Sequence, residues 1–153
     1  MTTSRIPAVI DELVDRFRAA PALAGVKVLD GPLVTGSPLK AAICVGFDGD
    51  PTGDGQAADF AQAWASIGQK AKDETFTITC TVVVWSGSTA VRAARVRAFE
   101  VLAAAEDVLR GDPALGQPPP TISAVTSGAL IQVQEGSGMQ VRIPFQIAVQ
   151  TRI

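Results

Sequence analysis

Two long stretches in which apolar and polar side chains alternate constrain the fold of this chain more than any other feature. Successive side chains of a β-strand point to opposite faces of a sheet, so a period of two predicts a strand with one covered face. The first stretch runs from Thr75 to Trp85 and the second from Met139 to Thr151. Pro144 lies within the second stretch and has no backbone N–H to donate to a neighbouring strand, which predicts an edge strand or an edge-facing position there.

Two segments with helical spacing accompany these strands. The first is predicted over about residues 4 to 20, with Ser4 as a candidate N-cap and Pro21 beyond its end. The second is predicted over about residues 89 to 110, after the turn and cap Ser86-Gly87-Ser88-Thr89. An apolar stripe predicts that each helix packs one side on a sheet. The stripes are Ile6, Val9, Ile10, Leu13, Val14 and Phe17, then Val91, Ala94, Ala98, Val101, Leu102, Ala105, Val108 and Leu109.

Shorter apolar runs predict the remaining strands. They cover residues 26 to 29, 39 to 47, 121 to 126 and 129 to 135, and Gly136-Ser137-Gly138 predicts a hairpin turn after the last of them. This order favours an α+β fold with a mixed, mainly antiparallel sheet and two helices packed on one face. A length of 153 residues is enough for one core, so we expect a single domain over residues 1 to 153.

Residues 48 to 73 are rich in Gly, Asp, Ala and Gln, which predicts a long, poorly ordered loop with a short helical stretch around residues 57 to 66. The segment from Asp48 to Asp59 places oxygen-bearing side chains at calcium-loop positions one, three, five and twelve. It follows a strand instead of a helix, however, and has Pro51 at the fourth position. An acidic loop without metal is therefore favoured, and calcium binding stays the alternative.

The composition removes the usual catalytic groups. Histidine, the commonest general base and metal ligand, is absent. Tyrosine, which could act as a phenolic acid, is absent too. No phosphate-binding glycine loop and no dinucleotide fingerprint occurs. Cys44 and Cys80 lie in apolar runs where buried thiols are expected, with a disulfide as the alternative. The sequence favours a binding protein over an enzyme and predicts no cofactor or metal.

The charge balance argues against stable binding to nucleic acid. Thirteen Lys and Arg stand against fifteen Asp and Glu, which gives a net charge of −2 and a pI of about 5.0 without a basic stripe. No apolar run approaches the length that spans a bilayer, and the first residues lead into an amphipathic helix instead of a signal peptide. We expect synthesis in the cytoplasm and no membrane partner.

Polar groups and one aromatic side chain are the candidate interface residues. Trp64 falls in the predicted loop, where an exposed aromatic often anchors a partner and local packing is the alternative. The uncharged threonines and glutamines on one predicted sheet face can be desolvated against another subunit at modest cost. The candidates are Asp48, Asp50, Asp54, Trp64, Arg142 and Gln146.

The arrangement of the whole chain resembles the tail terminator and tail completion proteins of long-tailed bacteriophages. The resemblance rests on the opening helix from Ile6 to Phe17, the Ala- and Arg-rich helix from Val91 to Arg110, and the terminal hairpin ending in Val141-Arg142-Ile143-Pro144-Phe145-Gln146-Ile147. Such proteins share a fold and an order of elements more than a motif, so no catalytic or interface residues carry over.

The resemblance implies a virion protein that acts by binding alone. It would form a ring of six subunits that caps the tail tube, ends tail polymerisation and joins the tail to the head connector, while DNA passes through without specific binding. The tail tube protein, the connector proteins and further copies of the chain are the implied partners. A head-closure or other neck adaptor protein, or a small non-viral module that adds a strand to its sheet edge, remains the alternative.

Overall fold

The fold places two helices on a seven-stranded sheet. This computed structural model describes residues 2–33, 40–87, 90–135 and 138–153. The mixed, mostly antiparallel sheet confirms the predicted α+β class. The elements in chain order are α1 (Ile6–Ala19), a 3₁₀ turn (Pro21–Leu23), β1 (Lys27–Asp30), β2 (Ala41–Val45), β3 (Ala58–Trp64), β4 (Lys72–Ser86), α2 (Val91–Gly111), β5 (Ile122–Gly128), β6 (Ile131–Glu135) and β7 (Gly138–Arg152).

The sheet is built around β4 and β7, two antiparallel strands of 15 residues each. On the outer side of β4, β3 pairs with the first half of the strand and β2 with the second half, and β1 adds to β2 in parallel. On the outer side of β7, β5 and β6 pair one after the other. In the described part of the chain, β3 pairs only with β4 and β5 only with β7, so both are edge strands.

The core lies between the two helices and one face of the sheet, because all three contribute to one buried apolar cluster. Phe17 and Leu13 of α1 and Ile78 and Phe145 of the central strands are fully or almost fully buried. Burial of each such side chain contributes about 1.5 to 3 kcal/mol. The apolar stripes read from the sequence supply the buried helix residues, with Ala98 allowing α2 to approach the sheet closely.

Of the two positions predicted for Pro144, an edge strand or an edge-facing position, the edge strand is wrong, because β7 is paired on both sides. The Pro144 carbonyl oxygen accepts a hydrogen bond from Ala129 N–H at 2.9 Å. The N and C=O of one strand residue point to the same side, so the nitrogen of Pro144 faces the break between β5 and β6. The missing donor therefore falls where neither strand continues the ladder.

The predicted loop over residues 48 to 73 is correct only for residues 48 to 57, which form no helix or strand, and its predicted helical stretch at 57 to 66 is wrong. The segment forms β3, which pairs from Ala58–Ile78 to Trp64–Lys72, and β4 begins at Lys72 instead of Thr75. Gly68, with a φ of +87°, lies in the turn between the two strands. Pairing with a long neighbouring strand outweighs the weak helical preference of an alanine-rich segment.

Smaller differences concern element ends. The N-cap of α1 is Arg5, although the Ser4 hydroxyl accepts a hydrogen bond from Ile6 N–H at 3.0 Å. The break between β5 and β6 falls after Gly128 instead of at Ser127-Gly128. Parts of three predicted features lie outside the described residues: Leu39 of the predicted strand, Ser88-Thr89 of the turn and cap before α2, and Gly136-Ser137 of the last hairpin turn.

Candidate functional site

The acidic segment after β2 lies on the sheet face opposite the helices, here called the open face. Gly49 is the contact point: a Cβ at this residue would lie 2.6 Å from Cδ of Arg142 and 3.1 Å from Oγ1 of Thr81. Thr81, which β4 presents on the open face, is fully buried. The segment that the sequence assigned to a loose loop therefore covers part of the sheet.

The carboxylates of this segment accept hydrogen bonds from other residues of the same segment. Asp48 Oδ1 accepts a hydrogen bond from Asp50 N–H at 2.8 Å, Asp50 Oδ1 accepts from the N–H and the hydroxyl of Thr52, and Asp54 Oδ1 accepts from Gln56 N–H at 3.0 Å. The bonds from Thr52, aided by the charge of Arg142, hold the pKa of Asp50 below its usual range. Across residues 2–33, 40–87, 90–135 and 138–153, no three acidic or cysteine side chains are grouped to hold a metal ion.

Arg142 and Gln146 lie four residues apart on the same face of β7. The Gln146 amide oxygen accepts a hydrogen bond from the Thr79 hydroxyl at 3.2 Å. The Arg142 Nε is buried without a hydrogen-bond partner among the described residues. The structure thus brings Asp48 and Asp50 close to the β7 pair, with Asp54 at the exposed end of the same segment.

Trp64 lies apart from these residues, at the outer end of β3 and on the helix side of the sheet, because it pairs with Lys72. The Lys72 ammonium is 5.3 Å from the centroid of the Trp64 ring, a cation–π contact. Trp64 is 66% exposed and Phe60, on the same side of β3, is 58% exposed. Ile67 at the hairpin tip is fully exposed. We call Phe60, Trp64 and Ile67 the hairpin patch.

The sequence analysis missed Phe60 and Ile67. Both belong to the segment whose composition predicts a loop, and only Gly68, in the turn, indicates a hairpin. Apolar side chains two residues apart on a strand share a face, so the strand assignment alone would have joined Phe60 to Trp64.

The opposite edge of the sheet also exposes apolar side chains. Phe99 of α2, Leu130 beyond β5 and Ile143 of β7 help to line an open groove of about 370 Å³ between the helix and the sheet edge. Phe99 and Leu130 are exposed, as is Val96 on the same helix, and we call these three residues the far-edge patch. Ile122 of β5 and Val133 of β6 are exposed too, but they pair with Gln150 and Gln140 and lie on the open face. Exposed apolar side chains on two opposite edges are typical of a protein that binds others.

A buried carboxylate joins the β3–β4 hairpin to the start of α1. Glu74 is 0% exposed on the helix side of β4. Its two carboxylate oxygens accept hydrogen bonds at 2.9 Å from Arg5 N–H and from the Gln62 side-chain amide. The same amide donates to the Thr3 carbonyl oxygen at 2.8 Å. No sequence pattern indicates this cluster, because its members are far apart in the chain.

The two cysteines cannot form a disulfide with each other, because they lie on opposite faces of the sheet. Cys44 pairs with Thr81 of the open face, whereas Cys80 belongs to the buried cluster under the helices. Both thiols are free, and burial raises the pKa of each to about 12. Neither thiol is a ready nucleophile at neutral pH.

Among the described helices, none is long and apolar enough to cross a membrane. No protein-family profile matches the chain. No curated protein matches it in sequence either.

A solved structure does match over nearly the whole chain. The similar chain belongs to the virion of a native gene transfer agent particle. It superposes with a TM-score of 0.62 at 15% sequence identity, and the match covers 97% of this chain and 99% of the other. The likeness shows that the two chains share a fold.

Proposed function

We propose that this protein is a structural component of a phage-like virion, which assembles into a ring of six subunits at the end of a tail tube. The ring ends tail polymerisation and joins the tail to the head connector. The observation that carries the proposal is the end-to-end match with a chain of a virion particle, 97% of one and 99% of the other.

The distribution of apolar side chains supports assembly in a ring. The hairpin patch lies beside β3 and the far-edge patch lies beside β5 and β6, on opposite edges of the sheet. Contact between two different surfaces of identical subunits is heterologous, and it closes into a ring when the rotation between neighbours fits. Two copies of a self-complementary surface would give a dimer instead.

The charge of the chain suits a ring that DNA traverses. A net charge of −2, with no grouping of Lys and Arg into a stripe, offers a phosphate backbone little attraction. Binding to other virion proteins would then be the whole mechanism, and no residue is assigned a catalytic role.

Native mass spectrometry of the purified chain tests the ring. A species of six times 15.8 kDa is expected at micromolar concentration, and a monomer at all concentrations contradicts the proposal. Micrographs of tails assembled with and without the protein test its place. Tails of irregular length in its absence support the tail end, whereas tails of uniform length that lack heads support the neck adaptor alternative.

A further inference from the structure

The outer edge of β3 leaves its backbone hydrogen-bonding groups free. Thr79 N–H donates to the Ala57 carbonyl oxygen at 2.9 Å, and Ala65 N–H donates to the Ala71 carbonyl oxygen at 3.0 Å. Antiparallel strands exchange hydrogen bonds at every second residue, so the odd-numbered residues of β3 face β4. The even-numbered residues point their N–H and C=O groups outward, and no strand in the described part of the chain pairs with that side: Ala58, Phe60, Gln62 and Trp64.

β3 also lacks the features that usually protect an edge strand. It is seven residues long, contains no proline or lysine, and pairs with β4 without a bulge. The start of β5 on the opposite edge is closed by contrast, because Ser123 is buried and its hydroxyl donates to the Pro113 carbonyl oxygen. An open edge such as that of β3 can add a strand from a partner.

A second open edge lies on the other side of the sheet. Residues 127 to 135, which are the end of β5 and all of β6, follow β7 in one continuous register. Ala129 N–H donates to the Pro144 carbonyl oxygen at 2.9 Å, so the odd-numbered residues face β7. The even-numbered residues that point outward are exposed and uncharged: Gly128, Leu130, Gln132 and Gln134.

From these two edges we propose that β3 of one subunit pairs antiparallel with residues 127 to 135 of the next copy. β3 runs opposite to β4, β4 opposite to β7, and β7 opposite to β6, so β3 and β6 run in opposite directions. Rotation about a ring axis preserves that relation between neighbours. β3 carries one charge, Asp59, and residues 127 to 134 carry none, so no like charges oppose each other. The contact rests on the ring proposed above and identifies its two surfaces.

The two edges are staggered along the sheet, as closure into a ring requires. Ala58 is level with Ile78 of β4, whereas Gln132 is level with Val84, six residues further along the same strand. Six residues correspond to about 20 Å along a strand, and the four strands that each subunit contributes span about 19 Å. When Ala58 pairs with Gln132 of the next copy, the strands tilt by about 45° to the ring axis, as in closed barrels.

The same register joins the two apolar patches. Phe60 lies on the helix side of β3. Leu130 lies on the helix side of its strand, as does Gln132, whose amide oxygen accepts a hydrogen bond from Arg95 of α2. In this register Phe60 is opposite Leu130 and adjoins the groove that Phe99 helps to line. The hairpin patch of one subunit then covers the far-edge patch of the next, a heterologous contact.

Engineered disulfides test the pairing. Ala61 and Ala129 are exposed on the open face and are opposite each other in this register as a non-hydrogen-bonded pair. The Cα atoms of such a pair are about 4.5 Å apart, within reach of a disulfide. On oxidation, Ala61→Cys combined with Ala129→Cys should give reducible covalent multiples of up to six times 15.8 kDa on a denaturing gel. Ala61→Cys combined with Ala124→Cys is the matched control, because Ala124 is exposed on the same face but five residues away, so its subunits should stay unlinked.

The outcomes separate the strand pairing from the ring itself. Wild-type rings together with an unlinked Ala61→Cys, Ala129→Cys variant would overturn the pairing and leave the ring standing. A monomeric wild type would overturn both. Linked dimers formed by Ala61→Cys alone would show that β3 pairs with β3 of a second copy, which would also overturn the proposal.

A proline substitution tests the backbone hydrogen bonds by a second route. Gln132→Pro removes an N–H that points away from β7, so the subunit should keep its fold. Because the carbonyl group of the next subunit loses its donor, assembly should weaken by at least about 10-fold. Gln132→Ala keeps the N–H and should assemble like wild type in native mass spectrometry. Equal assembly of the two variants would overturn the pairing.

Discussion

Glu74 of β4 accepts a hydrogen bond at 2.9 Å from the backbone N–H of Arg5, which lies immediately before α1. This buried carboxylate satisfies one of the backbone donors at the start of the helix and also receives the Gln62 amide. It therefore holds α1, β3 and β4 together at the end of the sheet where the hairpin patch begins.

Replacing Glu74 should destabilise the fold. Glu74→Ala leaves the half-buried Arg5 N–H and one of the two hydrogens of the Gln62 amide without an acceptor, and we expect a loss of about 3 kcal/mol in the free energy of unfolding. Urea denaturation followed by circular dichroism measures it. Glu100→Ala is the control, because Glu100 is exposed and its contact with Arg97 is 3.6 Å long, so its loss should stay under about 1 kcal/mol. Equal losses in the two variants would contradict the role given to Glu74.

The two central strands and both helices could be predicted because their periodicity matches one structure only. β3 could not, because Ala58-Asp59-Phe60-Ala61-Gln62-Ala63-Trp64 has no strong strand preference, and its pairing with β4 decides its conformation. Glu74 could not be predicted either. Its partner Arg5 is 69 residues away in sequence, and a carboxylate at the end of a strand is ordinarily solvated. The contact between Arg142 and Gly49 could not be predicted from the sequence either, because only the fold brings these two residues together.

Gly49→Ala should disturb the segment that covers the open face. The residue has a φ of +85°, and its Cβ would lie 2.6 Å from the Arg142 side chain. Gly25→Ala is the matched control, since Gly25 has a φ of +82° with no atom within 4 Å of its Cβ. Both pay the cost of a left-handed conformation, about 1 to 2 kcal/mol. We expect Gly49→Ala to lose about 1 kcal/mol more, the cost of overpacking.

A second substitution separates the contact from the backbone strain at Gly49. In Gly49→Ala combined with Arg142→Ala, the clash with Arg142 is absent and only the 3.1 Å contact with Thr81 Oγ1 remains, so most of the extra loss should disappear in a double-mutant cycle. A cycle with no coupling energy would mean that Arg142 moves aside without cost.

The Arg16–Asp112 ion pair should make stability depend on acid pH. Asp112 accepts hydrogen bonds from Arg16 and from the backbone N–H groups of Gly116 and Ala114, and these hold its pKa below the usual range. The contribution of a carboxylate with a lowered folded pKa is present above its unfolded pKa of about 3.9 and is lost as the pH falls through the folded value.

Asp112→Asn should therefore flatten the acid limb of the stability curve and leave the limb above neutral pH parallel to that of wild type. Unfolding midpoints measured at a series of pH values test this. An acid limb of unchanged slope in the variant would show that Asp112 titrates alike in the folded and unfolded chains.

The thiols should be inert in the folded protein. Cys44 and Cys80 are fully buried and their pKa values are raised to about 12, so little thiolate exists at pH 8. Iodoacetamide should modify neither cysteine in buffer and both in concentrated urea, which intact-mass spectrometry distinguishes. Rapid modification of Cys44 in buffer would mean that the cover on the open face opens readily.

Trp64→Ala should separate folding from assembly. The side chain is 66% exposed and contacts Lys72, a pair whose loss costs about 0.5 to 1 kcal/mol at an exposed site, so the variant should keep its fold and nearly its wild-type thermal midpoint. In a ring the same side chain is buried at every subunit contact, and an interface tryptophan typically contributes about 2 kcal/mol or more. Because that loss repeats around the ring, the variant should assemble poorly and leave tails of irregular length in micrographs. An unfolded variant would place Trp64 in the core, and normal rings with tails of normal length would place the interface elsewhere.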